Sequence, residues 1–584
     1  YPELKLLING EWISRPGHPV INPADETSIG TVPHATTADL AAAVAAAEQG
    51  FVVWRRTSPA KRAEIILKAV ALMRQRVEEM AVVMTLEQGK PIAQSRLEVQ
   101  RAADIIEWDA QEGRRTYGRI IPAEPGMRHT VLRQPIGPVA AFSPWNFPVS
   151  SPSRKVGGAL SAGCSIILKA SEETPGGAFQ VARAFTDAGL PPGVLNLVFG
   201  DPAMISEYLI PHPSIRLVTF TGSIPVGKRL AALAGQHMKP AIMELGGHAP
   251  VIVCDDVDPE AAAAAAVLGK SRNAGQVCVS PTRFFVHDKV YDNFVGKFID
   301  IANKTKVGDG MEADSRMGPL ANPRRVNAIE AFVADAQDKG AKVAAGGKRI
   351  GNQGNFFQPT VLTDVPENAR IMNEEPFGPI AVMLRFKETD DVLARANKLP
   401  FGLASYAFTK DAKTATKIAD ALDHGMVTIN HFGIALPETP FGGVKDSGFG
   451  HEGGIEGLNA YLDSKGMKSL ADLRGKSVQK LQKWENLDLN FQRVTRIDYE
   501  KCIGCNLCYI ACEDGAHQCI DLKSPEELKV GLGPGRVPHK PVPKVREEDC
   551  VGCNLCSLVC PVDECITMVE IPNGKTSMTW SNYQ

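Results

Sequence analysis

Cysteine is scarce over most of this chain. Only Cys164, Cys254 and Cys278 fall among the first 501 of its 584 residues, and the other ten cysteines crowd into the last 83. A secreted protein held by disulfides would not leave its larger part so bare, so a cytoplasmic location is the expectation. No run approaches the roughly 20 apolar residues that a membrane span needs, and no membrane partner is expected. The net charge is only −2, which supplies no positive excess to hold nucleic acid or an acidic lipid surface. The opening stretch "YPELKLLINGEWISRPG" has no basic region leading into an apolar core and a cleavage site, so export is not expected. What is present, 44% hydrophobic and 22% charged residues, is ordinary globular material. The length suggests about three or four domains.

Up to about residue 466 helical and extended patterns alternate. "TTADLAAAVAAAEQGFVVW" places a threonine cap before an Ala-rich run, and "SPAKRAEIILKAV" opens with Ser58 as cap and Pro59 in the first turn. Short apolar strands follow at 139–143, 165–170, 195–200, 217–222 and 250–254, most of them separated by helical stretches. That alternation predicts a parallel sheet covered by helices, with ligands at the C-terminal ends of its strands. The pattern breaks after "AYLDSKG"; a polar linker is expected at 467–496, then a small cysteine-rich domain at 497–584 with a Gly/Pro-rich loop at 531–544.

The cysteine-rich part is an internal repeat. Cys502, Cys505, Cys508 and Cys512 follow C-x2-C-x2-C-x3-C, and Cys550, Cys553, Cys556 and Cys560 repeat it, with Pro561 completing the second run. Closely spaced thiolates suit one face of a cubane iron–sulfur cluster. In two-cluster ferredoxins the fourth cysteine of each run serves the other cluster. That assigns Cys502, Cys505, Cys508 and Cys560 to one [4Fe-4S] cluster, and Cys550, Cys553, Cys556 and Cys512 to a second. Zinc knuckles or a disulfide knot are the alternatives, but zinc motifs usually bring paired C-x2-C or His at longer separation. Cys519 and Cys565 read as small buried residues rather than ligands. The region from about 467 resembles the ferredoxin-like C-terminal module of dihydropyrimidine dehydrogenase, through "RIDYEKCIGCNLCYIACEDGAHQCI" and "CVGCNLCSLVCPVDECITMV". That enzyme's flavin barrel is not visible, so pyrimidine reduction does not carry over.

The larger part holds a thiol, a carboxylate and a side-chain amide in telling settings: Cys278 in "SRNAGQVCVSPTR", Glu244 in "MELGGHAP" and Asn146 in "SPWNFP". These are the parts acyl chemistry on an aldehyde requires. With "FTGS", "EEPFGP" and "PFGGVKDSG" in order, residues 5–466 resemble the aldehyde dehydrogenase superfamily, of the succinate-semialdehyde dehydrogenase type. The resemblance implies an α/β fold with a Rossmann-like NAD-binding domain (mainly 1–245), an α/β catalytic domain (mainly 246–430) and a β oligomerisation element (431–466). It implies homodimers or homotetramers. It also implies that Cys278 attacks the aldehyde as a thiolate of lowered pKa. Asn146 and the Cys278 backbone N–H would then hold the oxyanion, hydride would pass to a nicotinamide, and Glu244 would activate the water that hydrolyses the thioester. Family members that pass the acyl group to coenzyme A lack this Glu, so a free acid is the expected product. Ser280 stands where redox-switch variants carry a second cysteine, and no such switch is expected.

"GSIPVGK" nearly spells a phosphate loop, but Arg229 replaces the required Ser or Thr. The resemblance makes it the pyrophosphate site instead. Gly222, Ser223 and Trp145 fall by the phosphates, Lys169 and Glu172 by the adenosine ribose, and Glu375 and Phe377 by the nicotinamide. A Glu at 172 favours NAD, with NADP the alternative. Arg154 and Arg272 fall where succinate-semialdehyde dehydrogenases place arginines for a distal carboxylate, a task the planar guanidinium suits. Ala435 and Leu436 replace the family's loop serine, which leaves malonate, succinate, glutarate and 2-oxoglutarate semialdehydes open; the dihydropyrimidine-dehydrogenase-like tail hints at malonate semialdehyde. A hydride carries two electrons and each cluster takes one, so the expected partner of the clusters is a redox or docking protein, in an electron-transfer or pyrimidine-catabolic setting.

Overall fold

The computed structural model describes residues 1–124, 127–467, 491–513, 518–530, 541–550, 553, 555–562 and 564–572. Residues 468–490 of the expected linker and most of the Gly/Pro-rich loop lie outside them; the linker's last residues, 491–496, are not linker but part of the strand Phe491–Ile497 of the cysteine-rich unit, where pairing with Ile566–Pro572 draws them into a sheet. The chain divides into two units, Tyr1–Met467 and Lys468–Gln584.

The first unit is built on two large sheets. In the first, the strand order is Gly448–Phe449, Ala241–Glu244, Leu217–Thr221, Val139–Phe142, Ile166–Lys169, Leu195–Val198, Leu6–Ile8 and Glu11–Ile13. The five inner strands from Ala241–Glu244 to Leu195–Val198 are parallel, with antiparallel strands at both edges. Three of them, VAAF, IILK and LNLV, are buried along their whole length. Continuous apolar runs of this kind mark a parallel sheet covered on both faces. Thr36 caps the helix Thr37–Trp54 through a reciprocal box with Asp39, and Ser58 caps Pro59–Gln75.

Strand order reverses beside Val139–Phe142, because two strands that both follow it in sequence, Ile166–Lys169 and Leu217–Thr221, flank it on opposite sides in the sheet. Open α/β sheets bind ligands at such a switch point. Trp145 and Asn146 follow one of these strands; Gly222 and Ser223 follow the adjacent one.

The fifth expected strand, Ala249–Val253, does not join this sheet. It belongs to a second sheet, ordered Lys342–Ala345, Thr360–Thr363, Ile380–Phe386, Pro281–His287, Ala249–Val253, Ala404–Phe408 and Met426–Ile429. The chain changes sheet across Gly246–Gly247, where a Cβ at Gly247 would lie 2.8 Å from the Cys278 backbone carbonyl. A third, three-stranded antiparallel sheet pairs Leu462–Met467 with His129–Pro135 and Arg119–Ile121. Among the described residues no helix is long and apolar enough to cross a membrane.

The second unit holds a nested pair of two-stranded antiparallel ladders. Phe491–Ile497 pairs antiparallel with Ile566–Pro572, and Ile520–Lys523 with Val542–Val545. Each cysteine run follows one strand and leads into a short helix, Leu507–Glu513 or Leu555–Leu558. Its core is largely cysteine: Cys502, Cys508, Cys512, Cys519, Cys550, Cys556 and Cys565 are buried together with Val494, Ile520 and Ile566.

Candidate functional site

In the first unit one cavity of about 410 Å³ gathers residues from both large sheets. Asn146, Glu244 and Cys278 line it, with Trp145, Gly222, Ser223, Glu375 and Phe377 and with Arg154 and Arg272. Lys169 and Glu172 are not among its lining; they form an ion pair with each other at the end of the neighbouring strand.

The loop carrying Trp145 and Asn146 is clamped from below. Lys90 and Glu98 form a fully buried ion pair. Lys90 Nζ also donates to the Asn146 carbonyl at 2.9 Å, and Glu98 accepts from the Val149 and Ser150 N–H groups, each at 3.1 Å. Removing one member of such a pair would leave a bare charge in the core, at a cost of about 3–5 kcal/mol. Asn146 Nδ2 donates to the Gln276 carbonyl at 3.1 Å, which spends one amide N–H and fixes the plane of the other.

Cys278 follows a contorted turn. The helix Pro259–Ser271 ends and the chain passes through Asn273, Ala274 and Gly275 at φ of 49°, 52° and 72°. Left-handed backbone at a non-glycine residue stores strain of order 1–3 kcal/mol and needs strong surroundings. Asn273 Nδ2 supplies part of them by donating to the Asn146 carbonyl at 2.9 Å; Gln276 adds more, accepting from Ala321 N–H at 2.9 Å. Phe377 is held at φ 46°, its ring edge-on to Trp145 at 5.5 Å.

The electrostatics depart from expectation at the nucleophile. Burial, then the Glu375 and Glu244 carboxyls, push the Cys278 thiol up to about 12, against smaller opposing effects of the Val279 N–H and Arg272. The lowered value expected from the sequence is therefore not the property of this state: the thiol is enclosed by protein and faces acids. The acids respond in the same sense. Burial pushes Glu375 up to about 7 although Gly247 N–H donates to it at 3.0 Å. Glu244 is raised well above the carboxylate range by burial and by Glu452, with Lys155 and Arg154 pulling the other way. Both Glu244 oxygens are buried without a hydrogen-bond partner.

Arg154 lies buried with its guanidinium over the Phe441 ring at 4.8 Å, and its Nη1 has no partner. Arg272 lies over the Phe147 ring at 5.1 Å. The sequence reading missed Arg101, which also lines the cavity beside Ile105. These two residues are four apart on the helix Ile92–Glu112 and so share a face; a charge on an inward stripe was the available signal. Arg101 is exposed; burial, then the charge of Arg101, lower the pKa of Arg272, with Glu98 opposing them. Glu452, which pairs with the buried Lys155 and also lines the cavity, was missed as well.

The cofactor end fits a dinucleotide. Ser223 caps the helix Ile224–Gln236 without spending its hydroxyl on it, so the first-turn N–H groups and that hydroxyl stay available to an anion. A Cβ at Gly222 would lie 2.4 Å from the Phe220 ring, so the backbone there must stay bare.

In the second unit, Cys502, Cys505 and Cys508 line one cavity together with Cys560 from the other run. This crossed set is what two-cluster ligation requires. Cys550 and Cys556 meet at Thr495. Cys512 Sγ lies 3.5 Å from Cys519 Sγ, while Cys553 is exposed. The two extra cysteines are buried as expected, but each touches a ligand set: Cys565 lines the first cavity, and Cys519 packs on Cys512.

Comparison with known proteins agrees with this geometry. Residues 12–467 match the aldehyde dehydrogenase family, and residues 495–568 match the 4Fe-4S dicluster domain. The chain is 46% identical over 473 residues to 4-(hydroxymethyl)benzenesulfonate dehydrogenase of Comamonas testosteroni, covering 80% of this chain and 98% of that protein. It is 42% identical to the NADP-dependent succinate-semialdehyde dehydrogenase of Escherichia coli, covering 79% and 97%. The crystal structure of succinate-semialdehyde dehydrogenase from Burkholderia pseudomallei superposes with a TM-score of 0.78 at 41% identity, covering 79% and 97%. The chain belongs to the aldehyde dehydrogenase family and carries a 4Fe-4S dicluster domain beyond its dehydrogenase part.

Proposed function

We propose that this protein oxidises an aldehyde bearing an anionic group at its far end to the free carboxylic acid, with Cys278 as nucleophile, Asn146 as oxyanion donor and Glu244 as base. The observation that carries this reading is the cavity in which thiol, amide and unpartnered carboxyl meet Arg101, Arg154 and Arg272, with the Nη1 of Arg154 unpartnered. Cys278 gives its thiol proton to solvent water as Sγ bonds to the carbonyl carbon, the C=O π pair moves onto oxygen, and the new oxyanion is met by an N–H of Asn146 and the Cys278 backbone N–H. When bound, a nicotinamide dinucleotide supplies the hydride acceptor and a positive charge. Loss of hydride from the tetrahedral carbon leaves a thioester on Cys278. Glu244 takes a proton from water, the resulting hydroxide attacks the thioester, and the carboxylic acid leaves as the Cys278 sulfur is released. A carboxyl of raised pKa is a stronger proton acceptor once ionised, which suits this step.

Arg154 and Arg272, with Arg101 at the rim, supply the anion subsite, while Phe147, Phe441, Ile105 and Ala435 give it apolar walls. The relatives named for succinate semialdehyde and for a benzenesulfonate both point to substrates with an acidic group. Within this class the reading favours an ω-semialdehyde acid such as succinate semialdehyde. Glu172 beside Lys169 favours NAD, because a 2′-phosphate would face its carboxylate. Exposed Ile120 and Leu132 on the three-stranded sheet support a homo-oligomer through that face. The second unit is read as two [4Fe-4S] clusters, Cys502/Cys505/Cys508/Cys560 and Cys550/Cys553/Cys556/Cys512, that trade electrons with, or dock, another protein.

The test is a kcat/KM profile across three- to five-carbon semialdehyde acids, a sulfonated benzaldehyde and the matching uncharged aldehydes, with both cofactors. Preference for the charged series that collapses in Arg272→Ala supports the reading. Equal turnover of the uncharged series overturns it.

A further inference from the structure

We propose that Thr495 splits the two clusters in reduction potential, raising the one held by Cys550, Cys553, Cys556 and Cys512 above the one held by Cys502, Cys505, Cys508 and Cys560. This rests on the reading that both clusters assemble.

Thr495 sits on the strand Phe491–Ile497 and is buried. Its Oγ1 lies 3.0 Å from Cys556 Sγ, 3.9 Å from Cys550 Sγ and 3.4 Å from Met568 Sδ. A ligating thiolate has no proton and a thioether has none, so the hydroxyl must be the donor, and the nearest acceptor is Cys556. A hydrogen bond to an anionic sulfur is charge-assisted and strengthens as negative charge grows. Reduction adds that charge. The bond therefore favours the reduced cluster, and hydrogen bonds to the sulfurs are among the levers that set cluster potentials.

The internal repeat supplies a built-in control. Thr495 lies seven residues before Cys502, the first cysteine of its run; the residue seven before Cys550 is Pro543. Pro543 lines the cavity of the Cys502, Cys505, Cys508 and Cys560 set, as Thr495 touches the other. Proline has neither a hydroxyl nor a backbone N–H to donate. The nearby Tyr499 hydroxyl does not stand in, because it donates to the Pro543 carbonyl at 3.0 Å. The extra cysteines do not create the difference, since each set has one: Cys565 shares the cavity of the first, and Cys519 touches Cys512 of the second. Equivalent positions in the two halves thus carry a donor for one cluster and none for the other, which makes the Cys550 set the electron sink within the unit.

The test uses the full chain purified without oxygen, its iron and sulfide counted, and its clusters titrated with a reductant under EPR. The wild type should show two separate reduction waves. Thr495→Val, which keeps the shape and removes the hydroxyl, should move the upper wave down toward the lower and leave the lower in place. Thr495→Ser should retain the wild-type separation, and aldehyde oxidation should be unchanged in both. Thr495→Ala repeats the measurement with less side-chain volume should the valine chain load less iron. Unmoved waves in a fully loaded Thr495→Val or Thr495→Ala chain, or a shift of the lower wave alone, would overturn the proposal and leave the cluster reading intact. A wild-type chain without iron and sulfide would sink the cluster reading itself, and the proposal with it.

Discussion

The two units handle sulfur in opposite ways. The dehydrogenase unit sets one thiol, Cys278, in a cavity among acids, and keeps Cys164 and Cys254 apart from that cavity's lining. The cysteine-rich unit packs sulfur against sulfur and leaves Cys505 and Cys553 exposed. Nucleophilic chemistry gains from excluding water, because the oxyanion donors act most strongly in a low dielectric. One-electron exchange with a second protein gains from a cluster close to the surface. The ligands also come together differently. Cys278, Glu244 and Asn146 are brought from distant segments by the folding of two sheets, whereas all but one member of each cluster set come from a run of seven residues.

Breaking the first arrangement should cost most at its centre. Cys278→Ala should lower kcat by at least about 10⁴-fold, as loss of a nucleophile does, with the iron content unaltered. Glu244→Gln should lower steady-state kcat by about 10²–10⁴-fold and leave a burst of reduced cofactor as the thioester accumulates. Because burial and Glu452 raise Glu244, its neutral form persists to higher pH than in an ordinary carboxyl and cannot accept a proton. The wild-type rate should therefore climb with pH as Glu244 ionises, and that limb should vanish in Glu244→Gln. Asn146→Ala should cost about 10²–10³-fold in kcat through the lost oxyanion donor.

The remaining variants sharpen the contrast. Arg272→Ala should raise KM for a semialdehyde acid by about 10- to 100-fold, the range of a lost charge-assisted hydrogen bond, with kcat little changed. Arg101→Ala should do the same to a smaller degree, since Arg101 is exposed at the rim. Removing residues 468–584 should change aldehyde oxidation least of all; a large loss would show that the units share more than a chain, as would bleaching of the clusters by aldehyde without nicotinamide cofactor.

The proposed cluster ligands stand out in the sequence because their spacing of two and three residues is local. The proposed crossing of Cys560 into the first set rests on two copies of the run standing side by side, and the fold brings Cys560 to the cavity of Cys502, Cys505 and Cys508. The proposed catalytic residues stand out by the order of their motifs, and the fold gathers them in one cavity. What escaped was whatever depends on tertiary packing. Apolar alternation marks Ala249–Val253 as a strand but not as a member of a second sheet. Nothing near Cys278 in sequence announces that Glu375 will stand beside it and help raise its pKa. Lys90 and Glu98 look like surface charges on helical segments until the fold buries them under the Asn146 loop.

The account stands most directly on the bond formed at residue 278. Glu244→Gln enzyme, mixed with oxidised cofactor and a semialdehyde acid and quenched in acid, should yield an intact protein heavier by the acyl group, with the added mass on the peptide containing Cys278. An unmodified Cys278 peptide while aldehyde is consumed, or the acyl mass on another residue, would contradict it.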